Sequence, residues 1–396
     1  MKIAIIGSKG IPARAGGIER HVEELAPRLA KRGFKVSVYT RPWYTGSRKT
    51  SYNGVRLVPL ASIKTKHLDA ITHTFASTMH AMKEKFDIYH YHGVGPALLS
   101  WMPRVFRPSA KVIVTFHCLD RRVQKWGVFA RTVLKFGEWA ATHFAHKTIV
   151  VSKSLAHYCR EVYDRTAAYI PNGVKVSKPT TKDNAILEKL NLGKGRYVVM
   201  VSRLIRSKNA DKLVDAWKRL KAASSDLRVM GMKLVIIGDG DAIDPYVWEV
   251  RAKAAEAKDI VLAGARYGAE LHALIANAAF AVHPSASEGL PISVLEKMAH
   301  GKAVLTSDIP EHLEIIEGRG YTFRLNDQRD LMLQLYWLMT HPRACAEMGR
   351  EAKKHVGSYF NWEKIAKETS LVYTTLASKA TKKTVRKGAF RLAGAH

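Results

Sequence analysis

Glu288 and Glu296 flank a segment whose composition suits a binding loop followed by a helix. Pro291 is suited to the first position of that helix, which places Glu288 in the preceding loop and Glu296 within the helix. Backbone N–H groups at Gly289, Leu290 and Ile292 would then lie at the helix N-terminus, where such groups bind phosphate or sugar oxygens. A carboxylate beside them accepts hydrogen bonds from sugar or ribose hydroxyls. The alternative interpretation is two solvated glutamates beside an ordinary helix.

A pair of cations, Arg203 and Lys208, follows the predicted strand Tyr197–Val201. Two such side chains can neutralise a diphosphate and stabilise the charge that develops on it as it leaves. Among 64 lysines and arginines, a pair of ordinary surface cations is the competing interpretation. Ligands of parallel sheets bind at the carboxyl ends of strands, and this position favours a functional role.

Gly16 and Gly17 belong to a glycine-rich loop between the first predicted strand and the first helix. Glycine lets a backbone approach a phosphate closely, although it also serves loops that only need to turn. Lys9 stands where a dinucleotide fingerprint requires its second glycine, and Thr40-Arg41 replaces the acidic ribose ligand that should follow the next strand. These departures exclude a nicotinamide-dependent enzyme.

Strands and helices alternate along the chain, which predicts parallel sheets covered by helices on both faces. The predicted strands of the first half are Met1–Gly7, Lys35–Tyr39, Asp87–Tyr91, Lys111–Phe116 and Thr148–Val151, with an amphipathic helix at Glu19–Arg32. Those of the second half are Tyr197–Val201, Leu234–Ile237, Ile260–Leu262, Ala279–Val282 and Ala303–Thr306. The predicted fold class is therefore α/β, with two Rossmann-like, doubly wound domains whose strand ends face each other across a cleft.

The turn sequence Pro171-Asn172-Gly173 marks the predicted domain boundary. We expect an N-terminal domain over residues 1–172 and a C-terminal domain over residues 173–360. A helix over residues 361–376 is expected to return to the first domain. The remaining residues, 378–396, are basic and lack an apolar period, which predicts a mobile tail.

The charge balance is strongly basic, with a formal net charge of +30 over 396 residues. Such a surface attracts polyanions, including nucleic acid, anionic lipid and phosphorylated substrates. The apolar runs are too short for a membrane-spanning helix, and the N-terminus lacks the features of a signal peptide. Three cysteines without a close pair argue against a disulfide framework or zinc site and fit a reducing cytosol.

Taken in order, these segments resemble the family-four retaining glycosyltransferases of GT-B fold, from Met1 to about Leu376. Glu288 and Glu296 match that family's pair of glutamates, and Arg203 and Lys208 match its diphosphate-binding cations. Further matching segments are Gly16-Gly17, Val151-Ser152-Lys153, Pro171-Asn172-Gly173-Val174, Ile237-Gly238-Asp239-Gly240, Gly301-Lys302-Ala303-Val304 and Ile309-Pro310-Glu311.

The resemblance implies that Glu296 binds the ribose hydroxyls and that Glu288 holds the donor sugar near its C3 and C4 hydroxyls. Thr115-Phe116-His117 matches a strand-end histidine of the family, so His117 is implied to reach the sugar near its reacting carbon. A satisfied structural histidine is the alternative. The implied reaction retains the anomeric configuration, uses a nucleotide-diphosphate sugar as co-substrate, and needs no further cofactor and no metal, because Arg203 and Lys208 replace one.

The opening segment, from Gly10-Ile11-Pro12 to Leu25, is similar to that of bacterial surface-polysaccharide members, some of which transfer rhamnose. The implied acceptor is a glycan or a lipid-linked sugar, and no specific nucleic-acid partner is expected. The enzyme would then be cytoplasmic or peripheral on the inner face of the membrane. Two rival functions remain open, a nucleotide-sugar epimerase of the same architecture and a non-enzymatic polyanion-binding protein on a transferase scaffold.

Residues 121–147 are a candidate contact with an anionic membrane. Trp126, Phe129, Val133, Phe136 and Ala140 follow a helical period, and Arg122, Lys125, Arg131 and Lys135 surround them. A basic helix with an aromatic face can lie on an anionic bilayer. The alternative is that this face is buried within the first domain.

Overall fold

A computed structural model describes residues 1–14, 16–46, 49–65, 68–122, 127–175 and 185–392. The strands are β1 Lys2–Ile6, β2 Lys35–Thr40, β3 Ser51–Tyr52, β4 Val55–Pro59, β5 Ile88–His92, β6 Lys111–Phe116, β7 Lys147–Val150, β8 Ala168–Tyr169, β9 Tyr197–Val201, β10 Lys233–Ile237, β11 Ile260–Gly264, β12 Phe280–His283, β13 Val304–Ser307 and β14 Tyr321–Phe323. The helices are α1 Gly17–Lys31, α2 Pro42–Thr45, α3 Leu68–Glu84, α4 Val94–Ala97, α5 Trp101–Phe106, α6 Val128–His143, α7 Lys153–Tyr163, α8 Ala185–Lys189, α9 Ala210–Ala223, α10 Leu227–Met230, α11 Pro245–Ala255, α12 Gly268–Ala276, α13 Ile292–Ala299, α14 Pro310–Ile316, α15 Gln328–Thr340, α16 Pro342–Tyr359 and α17 Trp362–Leu392.

The chain divides into two compact units. Unit 1 comprises Met1–Asn172 together with Trp362–His396, and unit 2 comprises Gly173–Asn361. Both are α/β units built on largely parallel sheets, which confirms the predicted α/β class with two Rossmann-like domains. Among the described residues, we find no helix whose length and hydropathy would let it span a bilayer.

The sheet of unit 1 has the strand order β3-β4-β2-β1-β5-β6-β7-β8, and its described pairs are parallel apart from the β3–β4 pair. Successive side chains of the central strand β1 enter different cores, because side chains alternate between the two faces of a sheet. Ile3 and Ile5 pack in the same apolar cluster as Leu25 of α1. Ile6 packs instead in a cluster with Tyr91 of β5. This two-sided burial fixes the register of β1 and therefore the position of the loop that follows it.

Helix α17 packs on unit 1, where Ile365 and Tyr373 join the cluster that contains Ile3 and Ile5. Glu363 forms ion pairs with Arg28 of α1 and with Arg32, the residue that follows α1, at 3.0 and 3.1 Å. The helix continues to Leu392, so the predicted end at residue 376 was wrong, and most of the segment 378–396 has helical backbone. The apolar period that guided the prediction ends before the helical backbone does, because lysine and arginine also have good helix propensity.

The sheet of unit 2 has the order β11-β10-β9-β12-β13-β14, and all of its pairs are parallel. Its main core gathers Val198 and Met200 of β9 with Trp217 of α9 and Leu335 of α15. The strand order of this sheet reverses between β9 and β12, because β10 and β11 follow on one side of β9 whereas β12, β13 and β14 lie on the other. In unit 1 the strand order reverses between β1 and β5. Ligands of doubly wound sheets bind at the carboxyl ends of strands beside such a reversal. The loops after these four strands are therefore where a site is expected.

Candidate functional site

The loops after β9 and β12 of unit 2 bring Lys208 and Glu288 into contact. Lys208 Nζ donates to Glu288 Oε1 at 2.5 Å. Backbone links hold the loops together, since the Ala286 N–H donates to the Ser207 carbonyl and the Asn209 side-chain amide donates to the Pro284 carbonyl, each at 2.8 Å. The ion pair is therefore set by two loops whose positions the sheet determines.

Glu288 carries its charge in a largely buried position. Burial opposes ionisation, but the nearby Lys208 ammonium and a hydrogen bond from His283 outweigh it and hold the pKa of Glu288 well below its usual value. Both hydrogen bonds reach Oε1. Within the described ranges no side chain donates to Oε2, and this oxygen is therefore suited to accept a hydroxyl donated by a ligand.

The helix after this loop is α13, which contains Glu296 as predicted from the sequence. Pro291 is the residue just before the helix rather than its first residue, and no described side chain caps the helix start. Gly289 and Leu290 are buried beside that start, and Glu296 is partly buried. A helix start that lacks a side-chain cap suits an anionic or hydroxyl ligand.

Arg203 follows β9 and has an exposed side chain, and it forms no ion pair with any carboxylate in the described part of the chain. Beside Arg203, the backbone at Gly238 passes close to the backbone at Ser202. A Cβ at Gly238 would lie 1.8 Å from the Ser202 carbonyl oxygen. Glycine is required there for the end of β10 to pass the loop after β9. The structure thus joins Lys208 to Glu288 and leaves Arg203 available to solvent.

Three further side chains complete this cluster, and the sequence analysis missed them. His283, the last residue of β12, donates from Nε2 to Glu288 Oε1 at 2.8 Å. Lys297 lies 3.1 Å from His283, measured from Nζ to Nδ1. His312 of α14 is buried nearby, and burial lowers its pKa to about 4.

In unit 1 the strand-end histidine His117 is buried in contact with two other histidines. Its Nε2 lies 3.0 Å from Nδ1 of His92, the last residue of β5, and the two rings are stacked. His21 of α1 meets the His117 ring edge-on at a centroid distance of 4.9 Å. His21 Nδ1 in turn donates to the side-chain oxygen of Asn172 at 2.9 Å.

These three imidazoles are neutral near pH 7. Burial is the main cause, and it lowers the pKa of His21 to about 4 and the pKa values of His92 and His117 well below the usual value. Neighbouring histidines lower the pKa values of His92 and His117 further. A neutral His117 is suited to exchange hydrogen bonds with a hydroxyl rather than to supply a proton at neutral pH.

Gly16 and Gly17 lie where α1 begins, beside the loop after β1. Gly16 precedes the helix with φ 106°, a conformation that favours glycine, and no described side chain caps the helix start. A Cβ at Gly16 would lie 2.0 Å from a carboxylate oxygen of Glu19, and none of the described atoms lies within 4 Å of a Cβ at Gly17. The Glu19 carboxylate instead accepts from the Lys9 N–H at 3.0 Å, which braces the loop.

The sequence contained a signal for two of the missed histidines. The predicted strands ended at Tyr91 and Val282, whereas β5 and β12 extend one residue further, to His92 and His283. Because β5 and β6 are hydrogen-bonded neighbours, residues at their carboxyl ends must lie close together. His92 and His117 could therefore have been paired from the strand assignment, whereas His21, His312 and Lys297 required the tertiary structure.

Among the residues that the structure describes, two groups of side chains have the composition that a metal ion would need. Ligand atoms of His21, His92 and His117 lie within 4.8 Å of one another, as do those of His283, Glu288 and His312. In the second group the Lys208 ammonium already supplies positive charge to Glu288, which disfavours a cation there. In the first group His92 Nε2 is buried and has no described partner.

Helix α6, Val128–His143, covers most of the described part of residues 121–147, and Trp126 and Lys125 lie outside the described residues. Phe129 and Phe136 are 83% and 62% exposed, so this part of the predicted face is not buried in unit 1. Ala140 is buried. Glu138 is also fully buried and receives hydrogen bonds from Arg121, Tyr158 and Tyr163. Because Glu138 is buried, its carboxylate does not neutralise the exposed cations Arg131 and Lys135 at the surface.

Sequence comparisons identify both halves of the chain. Residues 15–178 match the profile described as Glycosyltransferase Family 4, and residues 182–355 match the profile described as Glycosyl transferases group 1. The chain is 25% identical to an uncharacterized glycosyltransferase of Methanocaldococcus jannaschii, over 94% of this chain and 98% of that protein.

Two proteins whose names state an activity are also similar. The UDP-Gal:α-D-GlcNAc-diphosphoundecaprenol α-1,3-galactosyltransferase of Escherichia coli is 24% identical over 70% of this chain and 73% of its own length. Among solved structures, sucrose-phosphate synthase from Thermosynechococcus elongatus superposes with a TM-score of 0.81 at 21% identity, covering 96% of this chain and 99% of that one. At this identity the structural likeness supports the fold.

Proposed function

Because the chain belongs to the family-four glycosyltransferases of GT-B fold, we propose that it moves a hexosyl-type sugar from a nucleotide-diphosphate sugar to a glycan or lipid-linked acceptor, with retention of the anomeric configuration. One observation carries the donor assignment, namely the Lys208–Glu288 ion pair in the loops after β9 and β12, between which the strand order of the unit 2 sheet reverses. It presents a cation and a carboxylate together, as a sugar diphosphate requires.

We assign the donor contacts in unit 2 by charge and position. Lys208 and the exposed Arg203 neutralise the diphosphate, and Glu288 accepts hydrogen bonds from sugar hydroxyls through Oε2. Glu296 accepts from the ribose hydroxyls. The segment Gly289-Leu290-Pro291 at the start of α13 offers backbone groups to the donor. Residues 173–360 are accordingly proposed as the donor domain, and residues 1–172 with the C-terminal helix as the acceptor domain.

In unit 1 we assign His117 to the sugar near its reacting carbon, through a hydrogen bond to a hydroxyl or contact with the developing positive charge. Its neutral state supports this role, because a neutral imidazole donates and accepts without adding repulsion. Gly16 and Gly17 are assigned to the donor at the start of α1, where an added side chain at Gly16 would meet Glu19.

The proposed reaction has no enzyme nucleophile, since Glu288 is occupied with Lys208 and His283 and is assigned to bind the sugar. The acceptor hydroxyl attacks the anomeric carbon from the face that the nucleoside diphosphate leaves. The new C–O bond forms as the old one breaks, and the departing phosphate takes the acceptor's proton. Lys208 and Arg203 stabilise the leaving charge in place of a metal ion, so that positioning and electrostatics supply most of the catalysis.

We assign the acceptor to a membrane surface, consistent with a peripheral enzyme of surface-polysaccharide synthesis. The exposed aromatic residues Phe129 and Phe136 of α6 would enter the headgroup region, and Arg131 and Lys135 would meet anionic lipid. The similar E. coli enzyme has a diphosphoundecaprenol-linked acceptor by name, which supports a lipid-linked acceptor here. Rhamnose is one donor sugar to be tested.

A thermal-shift screen across UDP-, GDP-, dTDP- and ADP-sugars tests the donor assignment, because a true donor stabilises the fold by mass action. The best donor is then incubated with the enzyme and lipid-linked or glycan acceptors. Transfer of the sugar with retained configuration is expected. Conversion of the sugar to an epimer without transfer would show an epimerase, and binding of polyanions without any donor response would show a retired scaffold.

A further inference from the structure

Lys297 is completely buried in unit 2, on a helix face that is otherwise apolar. Its neighbours Val294, Leu295 and Met298 on α13 are all fully buried and belong to types expected in a core. Burying an ammonium group costs several kcal/mol unless a partner compensates for the lost water. Burial accordingly lowers the pKa of Lys297 to about 7, although Glu296 and Glu288 partly oppose this. A lysine placed here therefore calls for a specific partner.

That partner is His283. Lys297 Nζ lies 3.1 Å from His283 Nδ1, and His283 Nε2 lies 2.8 Å from Glu288 Oε1. The ionised Glu288 carboxylate can only accept hydrogen bonds, so Nε2 carries the single proton of the neutral imidazole, and Nδ1 accepts from an N–H of Lys297. This tautomer donates to Glu288, whereas the opposite one would direct a lone pair at the carboxylate.

We propose that Lys297 is a positioning residue for donor binding, which acts through His283 to fix the orientation of the Glu288 carboxylate. Lys208 and His283 both bond to Oε1, so two groups hold one oxygen of the carboxylate, and neither of them bonds to Oε2. The Ser285 hydroxyl oxygen lies 3.1 Å from His283 Nε2 and can accept from the same N–H in this tautomer. The inference rests on the proposed role of Glu288 as the ligand of the donor sugar.

A positioning role and a purely structural role for Lys297 predict different effects on ligand binding. Glu288 is assigned to the sugar, whereas the diphosphate is assigned to Lys208 and Arg203. Loss of Lys297 should therefore weaken binding of the intact nucleotide sugar and leave binding of the free nucleoside diphosphate unchanged. General disruption of unit 2 would weaken both ligands together.

The test compares Lys297→Met with Lys302→Met in the full chain. Lys302 is a matched control, since its ammonium is also largely buried but donates to the Ala278 carbonyl at 2.8 Å rather than to the Glu288 network. The probes are the nucleotide sugar that stabilises the wild type most in a UDP-, GDP-, dTDP- and ADP-sugar screen, and its nucleoside diphosphate. We expect Lys297→Met to raise KM for the nucleotide sugar about tenfold, the scale of one buried hydrogen bond. The inhibition constant of the diphosphate should change less than twofold, and Lys302→Met should leave both constants unchanged.

Substitutions of His283 supply a second measurement that does not depend on the folding of Lys297→Met. His283→Gln keeps an acceptor oxygen and a donor N–H, so it should retain most of the affinity, whereas His283→Leu should lose about tenfold. Equal losses in the two His283 variants would overturn the inference. Equal weakening of sugar and diphosphate by Lys297→Met would also overturn it.

Glu288→Gln separates this inference from the proposed function. If Glu288→Gln leaves KM for the nucleotide sugar unchanged, the donor assignment itself is wrong. If Glu288→Gln weakens the sugar but Lys297→Met does not, the donor assignment stands and the positioning role fails. Addition of Lys297→Met to Glu288→Gln should produce no further loss, because both changes act through one carboxylate.

Discussion

Units 1 and 2 place different chemistry at equivalent points of similar sheets. Beside the reversal of strand order in unit 1, the carboxyl ends of β5 and its neighbour β6 carry buried neutral imidazoles, namely His92 and His117. At the reversal in unit 2, the loops after β9 and β12 present the ion pair of Lys208 and Glu288. The topology therefore selects where side chains gather, while the residue types at the strand ends select whether that place is charged.

The difference assigns separate tasks to the two units. A buried ion pair concentrates charge and suits a ligand that itself carries charge, such as a diphosphate. Neutral imidazoles suit hydroxyl groups or a reaction centre whose charge changes during the reaction. The following predictions test this division.

The largest effect is expected when the charge of unit 2 is removed. Lys208→Met should lower kcat/KM by about 10²–10³, the loss seen when a group that stabilises transition-state charge is deleted. Steady-state kinetics with the identified donor measures it. Lys212→Met is the control, because Lys212 donates to Asn326 and not to Glu288. An unchanged kcat/KM in Lys208→Met would show that the Lys208–Glu288 site does not act on the donor.

A smaller loss is expected when the neutral site of unit 1 is altered. His117→Ala should lower kcat by about 10–100-fold, because one hydrogen bond to the sugar is lost without the loss of a charge. The loss should be the same at pH 6.5 and pH 8, since burial keeps the pKa of His117 well below that interval. The exposed His157 provides a control variant, His157→Ala. A loss that appears only at one pH would mean that His117 titrates and that the comparison is wrong.

Acid should destabilise the neutral histidine cluster. The pKa of His21 is about 4 in the fold and about 6.5 when unfolded, so the unfolded chain binds the proton first as the pH falls. Stability from neutral His21 is complete above pH 6.5 and is lost towards pH 4, at up to about 1.4 kcal/mol per pH unit. Thermal unfolding at pH 7 and pH 5 should therefore show a smaller fall in Tm for His21→Gln than for the wild type. An equal fall would show that His21 is not the titrating group.

No effect is expected from removal of metal ions. Incubation with EDTA should leave kcat/KM unchanged, because Lys208 and Arg203 are proposed to replace a metal at the diphosphate. The histidine cluster of unit 1 makes this a sharp test, since its ligand atoms are close enough to bind an ion. Loss of activity that Zn²⁺ restores would show that the imidazoles of unit 1 hold a cation and are not a neutral site.

The sequence by itself determined much of the fold and the donor side of the site. Apolar runs and helical periods were sufficient for the two parallel sheets, because each buried strand needs a continuous apolar segment between polar loops. The spacing of Glu288, Pro291 and Glu296 placed one glutamate before α13 and one within it, since those features depend on neighbouring residues. The predicted end of α17 was wrong, because the apolar period stops before the helical backbone does.

Only the tertiary structure decided which side chains meet. Lys297 follows Glu296 on α13, and the local sequence does not predict that its side chain is buried. Its partner His283 lies on a different element, the strand β12. Likewise, His21 on α1 joins His117 on β6 through the packing of the helix on the sheet. Local patterns report the backbone conformation of a segment, whereas the pKa of a side chain and its hydrogen bonds depend on atoms that the chain brings together from far along its length.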